Sequence, residues 1–157
     1  NNIKRNFPYL KIIRVEENTQ IDFIINEVKV TFFSSESIQI PFIVKNYSFE
    51  SKHLRIADFN IISIMKIAAI AQRNTIRDYY DLYYIIKNYI NLKDVIDKTK
   101  IMIPELSPIT YNETLSYTKD IFENDLSNHL KPKENITKQE ISDFFVNELR
   151  KIWDNDA

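Results

Sequence analysis

Not one of the 157 residues is glycine, where ordinary composition gives about 7%. That absence removes whole classes of site at once. A P-loop, a Rossmann phosphate turn and a nucleophile elbow each need positive φ or a close backbone approach that a residue without Cβ permits. None of the three is expected here. Histidine and cysteine narrow the field further. His53 and His129 stand far apart and cysteine is absent, so a histidine-based metal cluster, a catalytic triad and a thiolate site are not expected. The lack of cysteine also fits a cytoplasmic protein.

Charge gives no shortcut to a partner. The 21 basic and 22 acidic residues are well mixed and sum to −1, so no global field draws in nucleic acid or an anionic membrane. Contact with RNA would have to be local. No apolar run reaches the roughly 20 residues a membrane span needs. The chain opens at Asn1 without methionine or a signal peptide, and the expectation is a fragment, a processed product or a degenerate relative.

The length suits one domain, or one core with a helical extension. KIIRVEE (11–17), QIDFIIN (20–26) and VKVTFFS (28–34) read as strands, because β-branched and aromatic residues cluster there. In the third, Val28, Val30 and Phe32 alternate with Lys29, Thr31 and Phe33, the period of a half-buried strand. Asn26-Glu27 would be the tight turn between the last two, although Glu suits positive φ poorly. IPFIV (40–44) and Leu54-Arg55-Ile56 offer further short strands. After Asp58 the period becomes helical and stays so. Asn91 starts a helix that ends before Pro104, and Pro104 and Pro108 bracket a linker. Thr110 with Glu113 reads as a capping box for a helix to about Leu126, with Leu115, Ile121 and Phe122 inward. Thr137 with Glu140 starts a last helix whose stripe is Ile141, Phe144, Phe145, Leu149 and Ile152.

Residues 58 to 90 are the stretch with chemical content. They read as two helices joined by a turn near Asn74 and Thr75, and Ser63 and Lys66 interrupt an otherwise apolar run. At about 100° per residue, Ser63, Lys66 and Arg73 share one face. The second helix opens with Arg77 and Asp78 and carries Asp81, so an antiparallel hairpin brings Lys66 towards Asp81. Each residue also has an ordinary reading. Lys66 can lay its stem on apolar surface and reach water, and Arg73 can complement a helix C-terminus. Asp78 can cap a helix start, and Asp81 can pair with Arg77. Tyr79, Tyr80, Tyr83, Tyr84 and Tyr89 suit base stacking, but tyrosines at this spacing more often pack a core.

Taken together, Lys66-Ile67-Ala68-Ala69-Ile70-Ala71-Gln72-Arg73 followed by Arg77-Asp78-Tyr79-Tyr80-Asp81-Leu82-Tyr83 resembles the signature of the AbiEii/AbiGii nucleotidyltransferase toxins. The preceding hairpin IDFIINEVKVTFFS resembles the strand pair ahead of that signature, so the resemblance covers about residues 18 to 100. It implies an α+β fold: a small antiparallel sheet, the C-terminal part of a polymerase-β-like nucleotidyltransferase core, followed by a helical region. Residues 1–57 would be the strand-rich part of that core, 58–103 its helical motif region and 104–157 a C-terminal helical extension. The implied function is that of the C-terminal part of a toxin of abortive-infection and toxin–antitoxin systems. Such a toxin moves a nucleotide from an NTP to an acceptor such as tRNA or another RNA, with a cognate antitoxin as partner.

Within the resemblance, Lys66 is the phosphate-contacting lysine and Asp81 the later acidic catalytic residue, with Arg73 and Asp78 supporting the nucleotide. The chemistry uses Mg²⁺ held by carboxylates at the triphosphate. The family's upstream Gly-Ser block and Asp-x-Asp pair have no counterpart, Asp22 stands without a partner carboxylate, and Thr31 occupies a strand position where related transferases can carry a third. The Mg²⁺ ligands are therefore expected outside this chain, and the chain alone is expected to be inactive. The competing class is a non-catalytic helical interaction or RNA-binding module using the tyrosine-rich face. A helical RNase of the HEPN type would need an arginine shortly before a histidine, which neither His53 nor His129 has.

Overall fold

The structure is a computed structural model, and it describes residues 5–33, 48–52, 54–117, 121 and 132–155. The expected strand at 40–44, His53, His129 and Phe122 lie outside the described residues. The chain forms two compact units, Asn1–Phe42 and Ile43–Ala157.

The first unit is an antiparallel sheet in the order β1 (Lys11–Glu16), β2 (Gln20–Ile25), β3 (Val28–Phe33). The β2–β3 turn falls on Asn26-Glu27, and both take positive φ, 49° and 67°, the requirement of a type I′ hairpin. Phe23 is buried, with Phe32 edge-on to it at 5.8 Å. The third strand is half-buried only at its centre, Val30 and Thr31, while Val28 is 61% exposed and Phe32 56%. Alternation marks which residues share a face, not how far that face is covered. Asp22 is buried on β2 opposite Thr31 of β3. Hydrogen bonds from Lys29, Gln20 and Thr31 hold its pKa at about 2.

The second unit opens with a hairpin, β4 (Ser48–Ser51) and β5 (Leu54–Ala57). The sequence signals β5 but not β4, because SFES lacks a run of β-branched residues. Among the described residues five helices follow: α1 (Phe59–Arg73), α2 (Ile76–Asn88), α3 (Leu92–Met102), α4 (Pro108–Ser116) and α5 (Lys138–Asn155). Asp58 caps α1, its Oδ1 accepting from the Ile61 N–H at 3.0 Å. Ile61, Ile64, Ile67 and Ile70 form the buried stripe of α1, which packs against α2, α3 and α4. The α5 helix closes the bundle with Ile141, Phe145 and Leu149 buried.

Helix starts at α1, α3 and α5 follow their capping chemistry, but α2 and α4 depart from it. Thr75 at the start of α2 makes no side-chain cap hydrogen bond, and its hydroxyl donates to Asp78 instead. Asn91 caps α3. Thr137 and Glu140 form the expected reciprocal box at α5: the Thr137 N–H donates to Glu140 Oε2 at 2.8 Å and the Glu140 N–H to Thr137 Oγ1 at 3.2 Å. At α4 the cap is Ser107, not Thr110, and Pro108 is already inside the helix. Proline at the first helical position removes an N–H that would be unsatisfied anyway. The α4 helix also stops at Ser116, short of the expected Leu126, where Tyr117 turns extended. Thr114 and Ser116 bond back to the carbonyls of Thr110 and Asn112, the competition that weakens helices rich in hydroxyl residues. Ser142 of α5 donates to the Ser116 carbonyl at 2.9 Å and so covers that helix end.

Candidate functional site

The α1–α2 turn sets the geometry. Asn74 ends α1 in the left-handed conformation, φ 52° and ψ 45°, and its N–H donates to the Ile70 carbonyl. Two residues later α2 begins, so the helices form a tight hairpin and Lys66 of α1 faces the first turns of α2. Its Nζ donates to Asp81 Oδ2 at 2.5 Å and to Asp78 Oδ1 at 3.1 Å. The proximity of Lys66 and Asp81 inferred from the helix pattern is therefore present.

Asp78 does not cap α2 as the sequence suggests; it gathers side chains instead. Its carboxylate, 1% exposed, accepts four hydrogen bonds: two from Arg73 at 2.7 and 2.9 Å, one from Thr75 Oγ1 at 2.7 Å and one from Lys66. The forked guanidinium suits this bidentate grip, which a lysine at position 73 would not reproduce. Burial pushes the Asp78 carboxyl up, but the bonds from Arg73, Thr75 and Lys66 outweigh it and bring its pKa down to about 2. Asp78 in turn raises the pKa of Arg73. Asp81 differs. Its side chain is 40% exposed and Lys66 is the cation it meets. Lys66 therefore has one fixed carboxylate partner and one wetted partner.

A pocket of about 220 Å³ opens at this pair, lined by Ile62, Lys66, Tyr80, Asp81, Tyr84, Ile85 and Lys133. Lys133 comes from the segment before α5, where the sequence shows only a loop. Its Nζ lies 5.4 Å from the Tyr84 ring centre. The neighbouring Glu134 fastens that segment to α2. Its carboxylate accepts from Lys87 at 2.6 Å and Tyr83 at 3.1 Å, and its N–H donates to the Tyr80 hydroxyl at 3.1 Å. Lys87 holds the Glu134 carboxyl below its usual pKa. No periodic signal marks Lys133 or Glu134, because their partners lie about fifty positions away in the chain.

The tyrosines divide between roles. Tyr79, Tyr80 and Tyr83 are buried, and the Tyr79 hydroxyl lies 2.6 Å from Asn74 Oδ1 and 2.8 Å from the Thr114 carbonyl oxygen. Tyr89 stacks on Phe59 at 4.3 Å. Only Tyr80 and Tyr84 line the pocket at Lys66. A wider pocket of about 430 Å³, lined by Asn74, Glu113, Thr114, Ser116 and Tyr117, presents no cationic side chain among its described residues.

Mg²⁺ does not fit this donor set. The Asp78 carboxylate is taken up by four donors, and Asp81 shares the Lys66 ammonium. Among the described residues, no three His, Cys, Asp or Glu side chains are grouped to hold a metal ion. Asp22 is likewise engaged, by Lys29 and Gln20. No helix among the described residues is long and apolar enough to cross a membrane.

Neither the comparison with curated proteins nor that with solved structures gives a match. The comparison with family models does, to the nucleotidyl transferase AbiEii toxin of type IV toxin–antitoxin systems, over residues 7–157. The match includes both blocks around Lys66 and Asp81, and it continues through α4 and α5, where the sequence carries no recognisable motif. This chain belongs to the AbiEii family of nucleotidyl transferase toxins of type IV toxin–antitoxin systems.

Proposed function

We propose that the Lys66 cluster is the phosphate-contacting part of a nucleotidyl-transfer site that uses an NTP and an acceptor such as tRNA. The observation that carries this reading is the unequal pairing of Lys66. Asp78 fixes the ammonium from the buried side, while Asp81 meets it at the pocket, where an arriving phosphate can compete. A lysine serves phosphate as a point charge and needs no fixed fork. Asp81 is the acidic residue of the site, and Asp78 and Arg73 set the position of Lys66. The Mg²⁺ such chemistry draws on is assigned to carboxylates outside this chain, and a cognate antitoxin is the expected partner of the toxin.

The test is binding of nucleoside triphosphate and of inorganic tripolyphosphate to the full chain, followed by NMR at millimolar ligand. Lys66→Met, close in shape but uncharged, should lose both ligands while melting within about 2 kcal/mol of the parent, since Asp78 keeps Arg73 and Thr75. Binding unchanged by Lys66→Met would reduce the cluster to a structural ion pair. Incubated with labelled nucleotides, Mg²⁺ and total tRNA, the chain alone should transfer no label. Transfer that disappears in Asp81→Asn would overturn the placement of the metal ligands elsewhere.

A further inference from the structure

We propose that the pocket between α1, α2 and the Lys133 segment seats the base of a nucleoside triphosphate, with Tyr84 as its stacking wall and Lys133 as a second phosphate contact. The inference rests on the reading of Lys66 as a phosphate contact and assigns the rest of the same ligand. Its first ground is the lining. Ile62, Ile85, Tyr80 and Tyr84 make a largely apolar slot, and Lys66, Lys133 and Asp81 also line it, so that an arriving phosphate takes the place of the Asp81 carboxylate at Lys66. An anionic group attached to a flat apolar one matches that distribution. The second ground is size. At about 220 Å³ the slot is smaller than the roughly 300–1,000 Å³ that encloses a drug-sized ligand. It suits a base, leaving the phosphate chain at the lysines.

The third ground is the state of Tyr84. Its ring is nearly parallel to that of Tyr80, 22° apart at 6.3 Å, and half-buried, so its orientation is set by packing. The exposed Lys133 side chain lies over it. Such an exposed cation–π contact is the weaker of two competing interactions, and base stacking on an aromatic ring is the stronger. A base entering the slot therefore displaces Lys133 from the ring and releases its charge for phosphate. Glu134 keeps this lysine within reach, because three hydrogen bonds hold the segment on Tyr80, Tyr83 and Lys87. Glu134 is thus a positioning residue.

The experiment uses the full chain with nucleoside triphosphates, inorganic tripolyphosphate and a short single-stranded RNA as probes, read by NMR shifts and thermal melting. Nucleotides should bind more tightly than tripolyphosphate. Tyr84→Leu should weaken nucleotide binding roughly tenfold and leave tripolyphosphate unchanged, while Tyr84→Trp should preserve it. Lys133→Gln should weaken nucleotides severalfold and tripolyphosphate less, because only a base releases Lys133 from the Tyr84 ring, and it should not lower the melting temperature. Nucleotide and tripolyphosphate binding that are equal, and equally indifferent to Tyr84→Leu, would overturn the base site while leaving the Lys66 reading intact. Loss of all specificity for Lys66 would instead remove that underlying reading. RNA that binds through Tyr84 in a chain that takes up no free nucleotide would also overturn the proposal.

Discussion

Asp78 and Asp81 lie one turn apart on the same helix and meet the same lysine, yet they have different work because water reaches only one of them. Asp78→Asn removes a buried charge that two cations and a hydroxyl converge on. It should cost about 2–3 kcal/mol, less than the ~3–5 kcal/mol of a fully buried pair because Arg73 and Lys66 keep access to water. Asp81→Asn should cost no more than about 1 kcal/mol, as expected for a wetted pair. Equal shifts in urea midpoints for the two variants would contradict this division. The pairing of Lys66 with Asp81 was legible from helical spacing alone. The hub at Asp78 was not, since burial depends on what packs over the α1–α2 turn. Ser63 shares the Lys66 face, and its buried hydroxyl has no hydrogen-bond partner among the described residues. Ser63→Ala should therefore be neutral or stabilise by up to about 1 kcal/mol in thermal melts.

At the scale of elements, starts were easier to read than ends. Asn91 and the Thr137–Glu140 pair are local chemistry, complete within four residues, and both cap as the sequence implies. The start of α4 was misread because Ser107 and Thr110 compete three residues apart, and Pro108 decides for the earlier one. The β-hairpin turn shows local and global demands in conflict. Glu27 takes φ 67° because the strands of β2 and β3 fix the turn, against the preference of a residue with a long side chain. Glu27→Gly should raise stability by roughly 0.5–1 kcal/mol in urea unfolding. A loss of stability would mean that the Glu27 side chain contributes something its exposed position does not suggest.

For the whole molecule, acid should be the sensitive direction. Asp78 has a folded-state pKa of about 2, below its ordinary 3.8, so its ionised form stabilises the fold at every pH above the ordinary value. That contribution, about 2 kcal/mol, is lost as pH falls from about 4 towards 2. Asp22 acts in the same direction through Lys29. Melting temperature measured down that range should drop, and drop less steeply in Asp78→Asn. The lack of glycine has a last consequence, and it concerns the unfolded chain. Every residue there carries a Cβ, so the denatured ensemble is narrower than in a chain of usual composition, and folding removes less backbone entropy. The opposing cost falls on Asn18, Asn26, Glu27, Lys52 and Asn74, the described residues with positive φ. These positions lie in a region the unfolded chain seldom visits. Asn74 is one of them, so the bend that brings Lys66 to Asp78 and Asp81 is itself a conformation that the folded surroundings must select.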